Sequence, residues 1–248
     1  KSLQKLVLIP AIILSAAILF TAQNQWDPAV LASGPSLYAD TFYNPDDPGK
    51  DTISSRMHQA KVIYHREGIC TTVTVRKAAS GEIILAVNGK TDASSRGDLD
   101  TQCLLAHAPM LLHEDPQDVL VIGLASGITL GSAGRYSGAE RLDCVELSPA
   151  VIEAARFFSG VNYNILQDAR TEIITADGRN HLALTGRKYD IIISEPSNPW
   201  ISGVADLFTR EFFFALQRQA ETRRKGVYMA AGLQYRPGII QKRNTDLL

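Results

Sequence analysis

Side chains that could bind a nucleoside follow three predicted strands, at the point where each strand ends. Gly123 and Gly127 frame the segment GLASG after the first strand, and glycines there let the backbone turn tightly and approach a ligand. Glu146 follows Gly123 by 23 residues, near the spacing at which an acid commonly binds ribose hydroxyls. Asp177 and Gly178 end the third strand, where a carboxylate can accept a hydrogen bond from an adenine amino group. Each residue alone could be a turn glycine or a capping acid, but three aligned strand ends favour a nucleoside site.

The same segments argue against a phosphate site. Gly89, Lys90 and Thr91 resemble the end of a phosphate-binding loop, but Ile84 stands where that loop requires a glycine. The loop after the first strand also lacks the third glycine of a pyrophosphate fingerprint. A nucleoside without phosphates fits better, such as S-adenosylmethionine or a relative.

A second candidate segment is SEPSNPW at 194–200, directly after the apolar run YDIII. Its two prolines fix φ and remove backbone donors, so the strand must end there. The loop then holds Glu195, Asn198 and Trp200 at the carboxyl end of a strand. It could present Glu195 to a ligand, or Glu195 could merely cap the next segment.

The elements that must position these residues alternate between strands and helices. A helix is predicted from 98 to about 113, followed by the strands DVLVIG, RLDCVEL, TEIITAD, YDIIIS and GVYMAAGLQ. Helices are predicted between the strands at 127–137, 149–158, 178–185 and 207–222. This alternation predicts a doubly wound parallel sheet with its ligand at the carboxyl ends of the strands.

The first part of the chain follows other patterns. Three β-rich runs, KVIYHRE, TTVTVRK and EIILAV, predict a small antiparallel β-domain at 53–97, with Asn88-Gly89 closing the last strand. Residues 23–52 are rich in Asp, Pro, Gly and Ser and indicate a linker. The Rossmann-like domain then covers 98–248. Folds of this type usually add one or two strands after the fifth, so the short tail suggests a truncated C-terminus.

Residues 1–22 are different because 6–22 carry no charge and are almost entirely apolar. We expect a transmembrane helix here, which could be the last of several in a longer precursor; a cleaved signal peptide and a buried core helix are the alternatives. The expected protein is anchored to a membrane, with its catalytic domain in the cytoplasm. Lys1 and Lys5 conflict weakly with this orientation, because the positive-inside rule would place the following domain on the other side.

Composition excludes some other classes. The formal net charge of −1 over 248 residues gives no electrostatic basis for binding nucleic acid. The three cysteines form no CxxC pair and the five histidines show no ligand spacing, so we expect no metal site.

The run from Val62 to about Gln234 resembles the spermidine synthases (polyamine aminopropyltransferases), and more closely the bacterial branch in which such a domain follows transmembrane helices. The segments that carry the resemblance are LAVNGKTDAS at 85–94, TQCLLAHAPMLLH at 101–113, VLVIGLASG at 119–127, VELSPAVIEAAR at 145–156, ADGRN at 176–180 and YDIIISEPSNPWISGVADLFTREFF at 189–213. The resemblance implies a Rossmann-like S-adenosylmethionine-dependent transferase domain after a small antiparallel β-domain, and a possible homodimer.

The resemblance also implies a reaction. An amine such as putrescine attacks the methylene beside the sulfonium of decarboxylated S-adenosylmethionine, and methylthioadenosine leaves. The family places the acid that accepts the amine proton at the start of the loop that matches Glu195. Trp200 would form a wall of the site, and Gln102 keeps the family residue of the gate segment.

Three departures from the family leave the reaction open. Ser126 replaces the family's acid in the first glycine loop, Asn198 replaces its second loop acid, and Thr101 replaces its gate tyrosine. Three acids of the gate segment, Asp92, Asp98 and Asp100, are candidates to compensate, with Asp92 the candidate to bind the amine substrate. An acidic, solvated turn is the simpler interpretation of all three. Because the missing acids recognise amines, a methyltransferase that uses ordinary S-adenosylmethionine is one alternative. A ligand-sensing domain without catalysis is another.

Overall fold

The computed structural model describes residues 11–17, 27–35, 37–38, 55, 57–68, 71–197 and 204–220, together with the backbone of 227–230. The described chain forms an antiparallel sheet of order β1-β2-β3-β4 and a parallel sheet of order β7-β6-β5-β8-β9. The strands are β1 Lys61–Glu67, β2 Thr72–Lys77, β3 Ile83–Val87, β4 Lys90–Ser94, β5 Asp118–Ile122, β6 Arg141–Glu146, β7 Thr171–Thr175, β8 Ile191–Ser194 and β9 Val227–Ala230. The helices are α1 Pro28–Ser33, α2 Leu99–Leu112, α3 Ile128–Ala133, α4 Pro149–Ala154, α5 Gly178–Leu184 and α6 Arg210–Ala220, with short 3₁₀ turns at Ala155–Phe158, Ile165–Gln167 and Ala205–Phe208.

The parallel sheet confirms the predicted doubly wound arrangement. β5 and β8 are short apolar runs because both faces of the sheet are covered. Successive side chains alternate between two cores: Val119 and Val121 join the core that contains α2, α3 and α4, whereas Leu120 and Ile122 join the core under α5 and α6. This packing fixes the carboxyl ends of β5 to β8 along one edge.

The antiparallel sheet has four strands, so the expectation that Asn88-Gly89 closes its last strand is wrong. Asn88 and Gly89 have φ values of +52° and +80°, which match the two-residue hairpin turn that Asn-Gly favours. This turn leads into β4, whose sequence KTDAS lacks the apolar alternation of a typical strand.

The two sheets share one hydrophobic core. Val73, Val75 and Leu85 of the antiparallel sheet pack in the same cluster as Leu105 and Met110 of α2, and this cluster extends to β5. The domain boundary predicted at residue 97 falls between β4 and α2, inside this continuous packing.

The predicted linker at 23–52 contains a short helix, α1. Asp27 caps it by accepting a hydrogen bond from the Ala29 N–H at 2.8 Å, Pro28 begins it, and Gly34 ends it with φ of +58°. A Cβ at Gly34 would lie 2.2 Å from the Gly89 carbonyl oxygen, so the end of α1 rests against the β3–β4 hairpin.

Of the predicted membrane segment at 1–22, the description includes only 11–17, which are helical and exposed. Across the described ranges, no helix has both the length and the apolar character needed to cross a bilayer.

Candidate active site

The loop from β5 to α3 has an unusual backbone. Gly123, Ala125 and Gly127 have φ values of +90°, +45° and +77°. Alternation between left-handed and ordinary backbone makes a concave surface lined by peptide groups. Ala125 has a Cβ and is strained in this conformation, whereas the two glycines adopt it at little cost. The loop therefore has the shape for close approach of a ligand to its backbone.

Glu146 holds this loop against the end of β6. Its Oε2 accepts a hydrogen bond from the Leu124 N–H at 2.9 Å, and its Oε1 accepts one from the Ser148 N–H at 2.8 Å. Burial raises the pKa of Glu146, and the backbone N–H groups oppose this rise by stabilising the carboxylate. Each carboxylate oxygen can accept more than one hydrogen bond, so ribose hydroxyls can share it.

Asp177 and Gly178 lie beside the same two strand ends. The Ala176 N–H donates to the Glu146 carbonyl oxygen at 3.2 Å, and Asp177 caps α5 by accepting from the Asn180 N–H at 2.8 Å. A Cβ at Gly178 would lie 2.6 Å from Cγ2 of Ile122. The missing side chain thus lets α5 begin close against the end of β5.

Ser126, a member of this loop, is buried and donates its hydroxyl hydrogen to Oε1 of Gln102. Gln102 in turn donates from Nε2 to the Ser94 carbonyl oxygen at 3.3 Å. Asn162 donates from Nδ2 to the Ser126 carbonyl oxygen at 2.9 Å. These bonds tie the glycine loop to α2 and to β4, so the Ser126 hydroxyl is engaged with protein.

Glu195 follows β8 directly and lies next to the glycine loop. A Cβ at Gly123 would be 3.9 Å from the Glu195 carbonyl oxygen. The Thr129 hydroxyl lies 3.5 Å from Oε2 of Glu195 and 3.2 Å from the Gln102 carbonyl oxygen, so it can donate to either. Glu195 and the predicted nucleoside residues therefore meet at one edge of the sheet.

The surroundings of Glu195 favour its neutral form. Solvent reaches the residue, yet the protein around it displaces enough water to raise its pKa to about 7. The negative charges of Asp98 and Asp92 act in the same direction, whereas the Thr129 hydroxyl and the Lys90 ammonium oppose it. A carboxyl with this pKa can take up and release protons near neutral pH.

Asp92 connects the antiparallel sheet to the loop that carries Glu195. Its Oδ1 accepts hydrogen bonds from Lys90 Nζ at 2.6 Å and from the Ser197 hydroxyl at 2.7 Å. Asp98 is nearby, where its Oδ1 accepts from the N–H and the hydroxyl of Ser94. Strand β4 thus contacts the loop that follows β8 and, through Ser94, the residue before α2.

The predicted site residues fall into two connected groups. The first group surrounds the ends of β5, β6 and β7 and consists of Gly123, Gly127, Glu146, Asp177 and Gly178. The second group consists of Gln102, Ser126, Glu195 and Asp92.

Two other predicted residues, Asn198 and Trp200, lie outside the described residues. No cluster of potential metal ligands occurs in the part of the chain that the structure describes. Two surface depressions of about 330 and 340 Å³ lie elsewhere, beside α6 and α4.

Sequence reasoning missed Thr129, Ser197 and the role of Lys90. Thr129 and Glu195 are separated by 66 positions and Ser197 and Asp92 by 105. No spacing rule connects residues so distant in sequence. For Lys90 a signal existed, because Asn-Gly predicts a hairpin that would bring the next residues back along β3.

An antiparallel sheet packed against a Rossmann-like parallel sheet, with a glycine loop and acids at aligned strand ends, defines the α/β class of this chain. The spermine/spermidine synthase domain matches residues 100–234, more than half of the chain. The chain belongs to the spermine/spermidine synthase family, as its sequence motifs predicted. The membrane-fused branch stays a prediction.

Individual relatives agree with this assignment. The polyamine aminopropyltransferase of Thermotoga maritima is 29% identical over 159 residues, which are 64% of this chain and 54% of the relative. That of Archaeoglobus fulgidus is 30% identical over 183 residues, or 73% of this chain and 63% of the relative. The chain thus spans a little over half the length of such relatives.

Solved structures show the same fold. A spermidine synthase in complex with the transition-state analogue AdoDATO superposes with a TM-score of 0.62 at 29% identity, covering 68% of this chain and 57% of the other. The spermidine synthase of Thermotoga maritima gives 0.61 at 30% identity, covering 68% and 56%.

Proposed function

We propose that this chain binds an S-adenosyl sulfonium nucleoside and transfers its aminopropyl group to a primary amine, with decarboxylated S-adenosylmethionine as the donor. The observation that carries the proposal is Glu195, a carboxyl with a pKa raised to about 7 that lies beside the glycine loop. Relatives named polyamine aminopropyltransferase and a spermidine synthase solved with a transition-state analogue support it.

The reaction requires a neutral amine nitrogen. A free alkylamine has a pKa of about 10, so roughly one molecule in a thousand is neutral at pH 7. In the proposed mechanism, the Glu195 carboxylate accepts a proton from the bound ammonium and thereby supplies the nucleophile. General-base assistance of this kind contributes roughly 10²–10⁴-fold to the rate.

The amine nitrogen then forms a bond to the methylene carbon beside the sulfonium. The carbon–sulfur bond breaks, its electron pair stays on sulfur, and neutral methylthioadenosine leaves. The product nitrogen carries the positive charge that the sulfonium loses, and Glu195 passes its proton to water. Glu146 and Asp177 would hold the nucleoside during this step through its ribose and its adenine, because they lie at the neighbouring strand ends.

Ser126 supports a second candidate, a methyltransferase that uses ordinary S-adenosylmethionine. The two donors differ by one carboxylate on the carbon that carries the amine. An acid in the glycine loop would repel that carboxylate, but Ser126 has no charge and its hydroxyl is bonded to Gln102. The described loop therefore presents no charged side chain that rejects the ordinary donor.

The test is to incubate the purified protein with each donor and several amines and to identify the products by mass spectrometry. We compare wild type with Glu195→Gln and with Glu140→Gln, an exposed acid on the loop before β6 that serves as the matched control. Glu195→Gln should still bind methylthioadenosine and should lose about 10²-fold or more in turnover, whereas the control should not.

Each other outcome has a defined meaning. Unchanged turnover in Glu195→Gln would show that this residue is only structural. Methylated products from ordinary S-adenosylmethionine would favour the second candidate. Nucleoside binding without turnover in any form of the protein would favour a ligand-sensing domain.

We also propose attachment to a membrane through residues 1–22, with the catalytic part in the cytoplasm. The uncharged run at 6–22 supports this proposal. Fractionation of cells that express the chain with and without these residues tests it, because only the longer form should sediment with membranes.

A further inference from the structure

Thr129 lies between the proposed general base and helix α2. It belongs to the first turn of α3, and the residue is only 6% exposed. Its hydroxyl oxygen is 3.2 Å from the Gln102 carbonyl oxygen and 3.5 Å from Oε2 of Glu195. A hydroxyl has a single hydrogen to donate, so these two acceptors compete for it.

The charge of Glu195 decides which acceptor receives this hydrogen. A hydrogen bond to a carboxylate is roughly twice as strong as one between neutral groups, so ionised Glu195 draws the hydroxyl hydrogen to Oε2. When Glu195 is protonated, the shorter contact to Gln102 holds the hydrogen instead. Both arrangements satisfy the buried hydroxyl, so the exchange between them costs little.

The other groups that face Glu195 act on it through their charges. Asp98 precedes α2, whereas Asp92 and Lys90 lie on β4. The two acids disfavour the carboxylate and the lysine favours it. Thr129 differs from them because it carries no charge and donates directly to the carboxyl, and this donation lowers the pKa of Glu195.

The contact with Thr129 also distinguishes the two carboxyl oxygens of Glu195. The residue is exposed and follows β8 directly, and a solvated glutamate side chain otherwise samples several rotamers. Among the described residues, its side-chain hydrogen bond goes from Thr129 to Oε2. Oε1 is thus left to receive the amine proton, and this transfer requires a base held within hydrogen-bond reach.

We propose that Thr129 is a positioning residue for the general base: its hydroxyl redirects its hydrogen bond from the Gln102 carbonyl to Oε2 as Glu195 ionises, and so holds the carboxylate with Oε1 toward the amine. This inference rests on the proposed function and deepens it. The hydroxyl only rotates, so no covalent bond forms or breaks in this step.

The test follows the titration of the Glu195 carboxyl by carbon-13 NMR, with its signal assigned as the one absent from Glu195→Gln. Thr129→Val and Thr129→Ala remove the hydroxyl, and Thr129→Ser retains it as the matched control. Ser132→Ala is a second control, because the Ser132 hydroxyl is also buried in α3 and has no hydrogen-bond partner among the described residues. Circular dichroism checks that each variant is folded.

Removing the hydroxyl should move the midpoint of the Glu195 titration upward by about 0.5–1 pH unit, because the carboxylate loses a donor. The rise of kcat/KM should move with it. At pH 9, where Glu195 is ionised in both proteins, kcat should still be about 3- to 10-fold lower in Thr129→Val, because the carboxylate is no longer held. Thr129→Ser and Ser132→Ala should keep the wild-type midpoint.

Three results would overturn the inference. The first is an unchanged midpoint in the variants that lack the Thr129 hydroxyl. The second is an equal shift in Thr129→Ser or Ser132→Ala, which would show that packing rather than the hydroxyl acts on Glu195. The third is a kcat at pH 9 in Thr129→Val that equals that of wild type.

The NMR titration separates this inference from the proposed function because it does not depend on turnover. If no amine is alkylated, the proposed reaction fails, and the titration alone decides whether Thr129 acts on Glu195. If amines are alkylated and the midpoints of Thr129→Val and Thr129→Ala match that of wild type, the inference fails and the proposed function stands.

Discussion

The raised pKa of Glu195 predicts a specific shape for the pH dependence of activity. Because Glu195 acts as the general base, it works only in its carboxylate form. This form appears as the pH rises through about 7. About 9% of the protein carries the carboxylate one pH unit below this pKa and about 91% one unit above it. The value of kcat/KM should therefore rise roughly tenfold between pH 6 and pH 8.

Above pH 8 the profile distinguishes two mechanisms. If Glu195 deprotonates a bound ammonium, kcat/KM should level off until the free amine itself loses its proton near pH 10. If the protein only captures neutral amine from solution, kcat/KM should continue to rise about tenfold per pH unit up to that point. The rise of kcat with pH should occur at lower pH than the rise of kcat/KM, because a bound cation stabilises the Glu195 carboxylate.

The assay is the release of methylthioadenosine, followed by liquid chromatography from pH 5.5 to 9.5 at constant ionic strength. In Glu195→Gln the rise of kcat/KM near pH 7 should disappear, and the rate of the remaining slow reaction should increase with the fraction of neutral amine. A continuous rise through pH 9 in wild type, with the same slope in Glu195→Gln, would refute the role assigned to Glu195.

Two further predictions concern the strand ends. Gly178→Ala should lower the free energy of unfolding by about 1–3 kcal/mol in urea titrations, because its Cβ would meet Ile122 at 2.6 Å. Gly160→Ala, where nothing lies within 4 Å, is the control, and equal effects of the two substitutions would contradict the packing argument. Glu146→Ala should weaken methylthioadenosine binding by about 1.5–3 kcal/mol through lost charge-assisted hydrogen bonds. Calorimetry measures this, and unchanged affinity would exclude a ribose contact.

The parallel sheet was predictable because burial on both faces leaves a direct pattern in the sequence. β5 and β8 appear as continuous apolar runs, and the acids and glycines that follow them mark the strand ends. Strand β4 was missed because its burial is confined to Ala93 and Ser94, while its first residues bind one another and the Glu195 loop. A strand with a functional polar face carries little of the hydrophobic pattern on which prediction depends.

The short helix α1 was missed for a different reason. Its capping signals were present, with Asp27 before Pro28 and Gly34 at the end, but six residues give too short a pattern to outweigh the polar composition around them. The contacts of Ser126 and Thr129 could not be predicted at all. Both depend on how closely α2 packs against the glycine loop, and this distance is set by the tertiary fold.

The contact between α1 and the β3–β4 hairpin has a consequence for mutational analysis. Gly34 and Gly89 meet through backbone atoms, and the Tyr38 hydroxyl accepts a hydrogen bond from the Thr91 N–H at 3.2 Å. These contacts flank Lys90 on both sides. An alanine scan of α1 would leave the backbone contact almost intact and report little effect. Inserting one residue between Gly34 and Tyr38 would instead shift the Gly34–Gly89 contact relative to the Tyr38–Thr91 contact. Because Gly89 and Thr91 are the chain neighbours of Lys90, this shift would displace the main chain at Lys90.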